Sequence, residues 1–324
     1  MELEPLCLSG SAKTRGRQQA ALMPEAVTAV RAAVAGRLEN AKELLGKTAV
    51  QEYLTKQWAY LSQYAPTHIG ETEGIAEGFG MSARDLSSYL HLGILDHGPA
   101  PVDGCSTFAA SHSDFGPFVA KNRDYGGEHR DLQKVFVQSD PESTAKQCIF
   151  VGSLGSPGAF SSGMNSAGLA LADTRVDWPA PGVGWLRYYL MTEILWRADT
   201  VDEAVDFISS VPHAGGGSLA MADASGAIAS VEFGHPDASV RSSGEGSFIH
   251  TNHYFIDRAA SARRVPAGGN EKNSHARLQV LRKASARHTE QTNMQEIVDL
   301  FSSHENGDGS LCRHGGEGEQ LSLI

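Results

Sequence analysis

The sequence predicts an α+β fold, a four-layer αββα sandwich with a mainly helical N-terminal segment. Two observations predict it. Before residue 104, apolar residues recur every three or four positions, whereas after it short strand-like segments alternate with turn residues. The strand-like segments form two groups separated by a pair of helical segments, an order that two stacked sheets with helices on their outer faces would satisfy.

The N-terminal segment carries the pattern of amphipathic helices. Helical periodicity covers residues 24–45, 50–64 and 71–95. In the first of these helices, Val27, Val30 and Val34 share one face, as expected for a helix that packs on a core. Ser82 is a suitable N-cap within the last stretch. Residues 1–16 are polar and basic, and we expect them to be frayed.

The rest of the chain reads as strands, turns and a few helices. Strands are predicted at residues 106–110, 118–120, 135–138, 149–151, 168–172, 218–222, 227–233 and 248–252, and helices at residues 185–197, 200–210, 274–287 and 293–302. Thr200 and Asn293 are each followed three residues later by glutamate, the pattern of a capping box. No internal repeat is found, so we expect residues 1–104 and residues 105–324 to form one structural unit.

Composition and charge are those of an ordinary globular protein, with 41% hydrophobic and 20% charged residues among 324. The formal net charge of −11 disfavours nucleic acid and anionic membranes as partners. No apolar run reaches the roughly 18 residues of a membrane span. The acidic first residues, Met1–Pro5, do not resemble a secretory signal, so we expect a cytoplasmic protein.

Metal or cofactor chemistry is not indicated by the sequence. The four cysteines are Cys7, Cys105, Cys148 and Cys312; they form no C-x-x-C pair, and no H-E-x-x-H motif occurs. The glycine-rich runs lack the spacing of phosphate-binding loops. We therefore expect no metal and no resident cofactor.

The dipeptide Gly104-Cys105, within Asp103-Gly104-Cys105-Ser106-Thr107, is the strongest indication of chemistry. If the bond between its two residues breaks, Cys105 becomes an N-terminus, and its α-amine can act as general base for its own thiol. A buried structural cysteine beside a turn glycine would explain the same residues, because free cysteines are often buried. The dipeptide alone leaves both interpretations open.

Polar clusters near predicted strand ends could complete such a site. In the cluster Lys121-Asn122-Arg123-Asp124-Tyr125, the Asp124 carboxylate could hold or orient a new α-amine. The amides of Asn165 and Asn252 are candidate donors to an oxyanion. Each of these residues, taken alone, is equally explained as an ordinary turn residue.

Histidines and a late arginine add further candidates. His250 and His253 permit a Cys–His arrangement of the thiol-protease kind, which ranks lower because a terminal amine makes a histidine base unnecessary. Arg313 could steady the cleavage site, and Arg123 or Arg313 could receive a substrate carboxylate.

Taken together, these clusters resemble the isopenicillin N acyltransferase (acyl-CoA:6-aminopenicillanic acid acyltransferase) family of N-terminal nucleophile hydrolases. More distantly they resemble choloylglycine hydrolases and acid ceramidases. The resemblance rests on six motifs that appear in family order, at residues 103–107, 122–125, 163–169, 251–254, 273–278 and 310–314. The helical region at residues 73–78 also looks like the family's region before the nucleophile.

The resemblance implies an αββα N-terminal nucleophile fold and autocatalytic cleavage between Gly104 and Cys105. The two fragments, 1–104 and 105–324, would stay associated, and Cys105 would carry a thioester. By the same resemblance Asp124 would orient the α-amine, Asn165 and Asn252 would be oxyanion candidates, and Arg313 would match the family's late arginine. Lys121 departs from the arginine found at that position in bile-acid-cleaving relatives, which puts the substrate in doubt.

We therefore expect a self-processing cysteine amidohydrolase that acts on a linear amide of a small molecule. An acyltransferase stays open; it would move an acyl group from acyl-CoA, then a co-substrate, or from an amide to an amine such as 6-aminopenicillanic acid. An unprocessed, non-enzymatic binding protein is the third interpretation. The substrate and a homo-oligomeric state also stay open.

Overall fold

The computed structural model describes residues 4–95, 104–125, 131–179, 181–255, 270–304, 307–313 and 321–323. Within these residues two β-sheets pack face to face, and helices cover the outer face of each sheet. This arrangement confirms the predicted α+β fold with its αββα layers. No helix in the described ranges combines the length and the apolar character needed to cross a lipid bilayer.

The N-terminal segment is mainly helical, as predicted. Its elements are strand β1 (Leu6–Ser9) and helices α1 (Ala12–Leu22), α2 (Val27–Asn40), α3 (Lys42–Leu45), α4 (Thr48–Tyr64), α5 (Pro66–Phe79) and α6 (Ala83–Leu95).

The remainder of the chain supplies most of both sheets. Its strands are β2 (Cys105–Ala110), β3 (Phe118–Tyr125), β4 (Gln133–Ser139), β5 (Gln147–Ser153), β6 (Ser162–Asn165), β7 (Ala170–Thr174), β8 (Gly217–Ala222), β9 (Ile228–Phe233), β10 (Ala238–Ser243), β11 (Ser247–His250) and β12 (Leu321–Leu323). Its helices are α7 (Arg187–Arg197), α8 (Val201–Ser210), α9 (Asn270–Ser285) and α10 (Met294–Phe301). The larger sheet has the order β1-β4-β5-β6-β7-β8-β9-β10, and the smaller has the order β11-β2-β3-β12.

The prediction that residues 1–16 are frayed is wrong for residues 6–16, and residues 1–3 lie outside the described part of the chain. Strand β1 pairs in parallel with β4, with Leu6 opposite Phe136 and Leu8 opposite Gln138. Leu6 and Leu8 are buried, whereas the residues that follow them are exposed. Four residues offer only two apolar positions, too few for a period-two pattern to stand out from the sequence.

Three predicted helix starts are present. Asn293 and Glu296 form a complete capping box, with each side chain accepting a hydrogen bond from the other residue's backbone amide. Thr200 accepts from the Glu203 amide at 3.3 Å, although the Glu203 carboxylate accepts from a different amide. Ser82 accepts hydrogen bonds from two amides in the first turn of α6.

The apolar cores lie on the outer sides of the two sheets. One fills the space between the larger sheet and helices that include α5, α6 and α7, and a smaller one lies between the other sheet, α9 and α10. Because side chains alternate along a strand, the residues that face the opposite sheet are mostly small or polar, such as Thr107, Ala172 and Ser218. The two sheets can therefore approach closely, with polar groups between them.

Helices α1 and α5 meet through glycines. A Cβ atom added to Gly74 would lie 2.1 Å from the Lys13 carbonyl oxygen, and one added to Gly16 would lie 2.4 Å from the Glu71 carbonyl oxygen. Only glycine permits backbones to approach this closely. By contrast, a Cβ atom added to Gly70, one turn earlier in α5, would contact nothing within 4 Å.

We predict that Gly74→Ala lowers the free energy of unfolding by ~1–3 kcal/mol, since the new methyl group must push the two helices apart. Gly70→Ala is the matched control and should be neutral, or stabilising by up to about 1 kcal/mol, because alanine favours the helix. Denaturant unfolding of both variants measures the difference. Equal stability of the two variants would contradict the close contact.

Candidate active site

Cys105 begins strand β2, and the register of the β2–β3 pair fixes its surroundings. Cys105 lies opposite Arg123, and Thr107 lies opposite Lys121. Because side chains two residues apart share a face of a strand, Cys105, Lys121 and Arg123 project toward the larger sheet. The same three side chains line one pocket, and only 7% of Cys105 is exposed.

The peptide bond between Gly104 and Cys105 is held by a hydrogen bond at each end. The backbone amide of Asp124 donates to the Gly104 carbonyl oxygen at 2.7 Å. The backbone amide of Cys105 donates to Asn252 Oδ1 at 2.8 Å. A donor on the carbonyl oxygen polarises the carbonyl group, and an acceptor on the nitrogen fixes the direction of the N–H bond.

A buried arginine, Arg277 of α9, ties the start of β2 to Asn252. Arg277 donates to the Cys105 carbonyl oxygen, to Ser106 Oγ at 2.9 Å and to Asn252 Oδ1 at 2.6 Å. Its Nε donates to Asn273 Oδ1 at 2.8 Å, across one turn of the helix. Burial lowers the pKa of Arg277 to about 10, although the Asp124 carboxylate opposes that change.

Sequence reasoning did not single out Arg277 as a site residue. The signal was present, because Asn273 and Arg277 are four residues apart in one of the family-like motifs. Residues at this spacing lie on the same face of a helix. Since polar residues at this spacing usually lie on a solvated face, only the tertiary structure identifies this face as buried.

Asn252, a predicted oxyanion donor, accepts hydrogen bonds at Cys105. Its Oδ1 accepts from the amide of Cys105 and from Arg277, and its Nδ2 donates to the Arg175 carbonyl oxygen at 2.9 Å. These partners define the orientation of the side-chain amide. The Asn252 side chain therefore holds the nitrogen of Cys105, and its role toward an oxyanion stays a prediction.

Asn165, the other predicted oxyanion donor, contacts the end of α7, and its predicted role stays untested. Its Nδ2 donates to the carbonyl oxygens of Leu195 at 2.9 Å and Ala198 at 2.7 Å, at the end of α7. Its Oδ1 accepts from two backbone amides of the turn that follows β6. Both amide protons of Asn165 are engaged, and the residue is absent from the lining of the Cys105 pocket.

Asp124 lies directly against Gly104, the residue before Cys105. A Cβ atom added to Gly104 would lie 2.2 Å from Asp124 Oδ2, so a larger residue there would displace that carboxylate. The same carboxylate oxygen lies 3.4 Å from Arg313 Nε. Asp124 is 3% exposed and borders the pocket, and its predicted contact with an α-amine of Cys105 stays a prediction.

A buried ion network forms the floor of the pocket. Asp173, at the end of β7, pairs with Lys121 Nζ and, at 2.5 Å, with Arg187 Nε. Burial acts to raise the pKa of Asp173, but Lys121 and Arg187 hold it below its ordinary value. For Arg187, burial acts to lower the pKa, and the attraction of Asp173, with a contribution from Cys105, raises it above its ordinary value.

The pocket is bounded by residues from both parts of the chain. Arg37 and Tyr89 belong to the N-terminal segment and line it together with Cys105. On the other side, the Arg123 guanidinium stacks over the Phe160 ring, with 4.8 Å to the ring centroid. The predicted residues Lys121 and Arg123 are thus in the pocket, whereas Arg313 and His253 are not part of its lining.

The two candidate histidines are engaged elsewhere. His250 lies between Glu232, at 2.8 Å, and Thr174, at 2.8 Å, and neither ring of the pair lines the Cys105 pocket. His253 Nδ1 lies 2.8 Å from Ser274 Oγ. Burial, the neighbouring histidines and Arg277 lower the pKa of His253 to about 3. This geometry does not support a Cys–His pair.

We predict that His253 makes the fold less stable in acid. Its folded-state pKa of about 3 is below the ordinary 6.5, so between these values the unfolded chain binds the proton and stability falls as pH falls. His253→Gln should make the unfolding free energy less dependent on pH between about 7 and about 5. The exposed His304→Gln is the control, and denaturant unfolding across that range is the measurement. An unchanged slope for His253→Gln would contradict the buried, neutral histidine.

Comparison with solved structures finds distant matches. A mutant conjugated bile acid hydrolase from Clostridium perfringens is 14% identical, with 68% of this chain and 83% of that chain covered and a TM-score of 0.42. Another variant of that hydrolase is 11% identical, with 68% and 76% covered and a TM-score of 0.34. Penicillin V acylase from Agrobacterium tumefaciens is 14% identical, with 62% and 56% covered and a TM-score of 0.29. No curated protein matches the chain.

The sequence match to a family is more extensive. Residues 111–320, more than half of the chain, match the profile of acyl-coenzyme A:6-aminopenicillanic acid acyl-transferase. The matched region begins just after strand β2 and contains Asp124, Asn252 and Arg277, which surround the Gly104–Cys105 peptide. This match confirms the resemblance predicted from the motifs: the chain belongs to the acyl-coenzyme A:6-aminopenicillanic acid acyl-transferase family.

Proposed function

We propose that this enzyme is a self-processing amidohydrolase whose nucleophile is Cys105. Membership of the family supports amide hydrolysis or acyl transfer as the reaction. The assignment of Cys105 as nucleophile rests on the two hydrogen bonds that hold the Gly104–Cys105 peptide. The Asp124 backbone amide donates to the Gly104 carbonyl oxygen, and the Cys105 backbone amide donates to Asn252 Oδ1. The Asp124 contact also continues the β2–β3 ladder, whereas the Asn252 contact is made by a side chain from outside that ladder.

In the processing step, the Cys105 thiolate attacks the carbonyl carbon of Gly104. The Asp124 amide stabilises the oxyanion, in the manner of an oxyanion-hole donor. The C–N bond breaks, the Cys105 nitrogen takes up a proton, and Asn252 Oδ1 retains the new amine. Water then hydrolyses the thioester, which leaves a carboxylate on Gly104 and a free thiol on Cys105.

In turnover, the α-amine of Cys105 takes the proton from its own thiol and later gives it to the leaving amine. Asn252 Oδ1 and the Asp124 carboxylate orient that amine. The substrate's acyl group becomes a thioester on Cys105, and water releases it. Lys121 and Arg187 border the same pocket, and their positive charge favours the thiolate and the developing oxyanion.

The two fragments would remain together after cleavage. Strand β1 is hydrogen-bonded to β4, and residues of α5 and α6 belong to the same apolar core as β5, β7 and α7. Separation of the fragments would expose that core to water, which opposes dissociation.

We predict that the wild-type protein separates into fragments 1–104 and 105–324 on a denaturing gel and in an intact-mass spectrum. Cys105→Ala removes the nucleophile and should stay a single 34.5 kDa chain with no amidase activity. Gly104→Ala should process more slowly, because its methyl group collides with the Asp124 carboxylate.

Cys7→Ala is the matched control, since Cys7 is exposed and lies outside the pocket, and it should process like the wild type. A wild-type protein that remains uncut after long incubation, or amidase activity in Cys105→Ala, would contradict the proposal. An uncut protein that binds amides without turnover would favour a binding protein.

Acyl transfer is the second candidate, and the family description favours it. With an amide or acyl-CoA as donor and 6-aminopenicillanic acid as acceptor, we expect the free acid as the main product, because no phosphate-binding loop for CoA is evident in the sequence. Chromatography of the products measures the ratio. A main product in which the amine is acylated would assign the enzyme to acyl transfer.

A further inference from the structure

We propose that the segment before the nucleophile forms the specificity wall of the pocket, in which Arg37 binds a carboxylate of the substrate. This inference rests on the proposed function and names its substrate class, an amide that carries a carboxylate away from the scissile bond. Fragment 1–104 would then have a role in substrate binding that continues after the chain is cut.

The wall is built by two helices of the N-terminal segment. Arg37, from the last turn of α2, and Tyr89, Leu90 and Gly93, from α6, line the pocket that Cys105 also lines. Helices α2 and α6 pack against each other, so these side chains have fixed positions. After cleavage before Cys105, all four residues would belong to the other fragment, and the nucleophile's own fragment would have an incomplete pocket.

Arg37 differs from three of the other four cations of the pocket in its partners. Lys121 and Arg187 share the Asp173 carboxylate, and Arg175 pairs with Asp177 at 3.0 Å. Arg37 instead stacks over the Tyr89 ring, with 5.7 Å to the ring centroid. No ion pair joins Arg37 to a carboxylate in the described parts of the chain. A guanidinium held over a ring can still donate from its edge, the geometry that fits a carboxylate.

The charge of the pocket is opposite to that of the chain. The lining carries five cationic side chains and two carboxylates, whereas the whole chain has a formal net charge of −11. Local positive charge in a concave site concentrates anions there. Because Asp173 already neutralises part of this charge, the surplus lies with the arginines around it, of which Arg37 is the one contributed by the N-terminal segment.

Gly93 leaves space in the same wall. A Cβ atom added to Gly93 would meet nothing within 4 Å, so a larger side chain there would extend into the pocket without a clash in the helix. The size of residue 93 therefore limits how bulky a substrate can be, and the residue can be changed without disturbing α6.

The test of Arg37 uses matched pairs of substrates and a matched variant. Glutaryl anilide and its methyl ester differ in a carboxylate on the acyl side, and N-acetyl-4-aminobenzoate and its methyl ester differ in one on the amine side. For Arg37→Gln we expect the ratio of kcat/KM, acid over ester, to fall about ten- to hundred-fold in one pair, as for loss of a charged hydrogen bond. Arg31→Gln, an equal charge change on the exposed side of α2, should leave the ratio unchanged.

The pair that responds identifies which side of the amide carries the carboxylate. Gly93→Leu should lower kcat/KM for bulky anilides while processing stays complete, and Gly36→Leu, on the exposed side of α2, should not. Equal ratios in wild type and Arg37→Gln for both pairs, or an equal loss in Arg31→Gln, would overturn the assignment.

A binding measurement separates this inference from the proposed function. In the Cys105→Ala background, calorimetry with the same four compounds gives dissociation constants without any turnover. Weaker binding of an acid, but not of its ester, on adding Arg37→Gln supports the carboxylate site even if Cys105 proves not to be the nucleophile. Active wild-type enzyme with no such difference in binding would overturn the carboxylate site and leave the proposed function intact.

Discussion

The register of β2 against β3 is the constraint on which the rest of the site depends. The hydrogen bond from the Asp124 amide to the Gly104 carbonyl oxygen extends that ladder by one residue beyond Cys105. The Gly104–Cys105 peptide is therefore the last hydrogen-bonded step of that ladder. If the register of β2 against β3 shifted by one residue, the Cys105 side chain would turn to the other face of the sheet, away from Lys121 and Arg123. The Cys105 thiol would then no longer line the pocket.

The buried charges around the Gly104–Cys105 peptide are balanced by partners from different elements. Arg277 comes from α9 and Asp173 from β7, and each contacts residues of the β2–β3 pair. A buried charge without a partner costs far more than a paired one. The polar layer between the sheets is thus stable only when both sheets and α9 are in place, so the site forms with the fold and not before it.

The sequence predicted the parts of the site that local patterns encode. The spacing of Cys105 and Asp124 fits a hairpin, and the structure brings both to one sheet end. The contacts of Asn165 could not be predicted, because an amide in a turn looks the same in sequence whether it caps α7 or faces a substrate. Strand β1 and the buried face of Arg277 depend on contacts with residues more than 100 positions away, which no local pattern records.

The parallel pairing of β1 with β4 has a kinetic consequence. In the intact chain, residues 6–9 and 136–139 find each other by closure of one long loop, a first-order event. If the bond before Cys105 is broken, as we propose, the same pairing would join two polypeptides, and refolding would become second-order. Stability then depends on protein concentration, so a cut molecule that unfolds in dilute solution is much harder to recover than its uncut precursor.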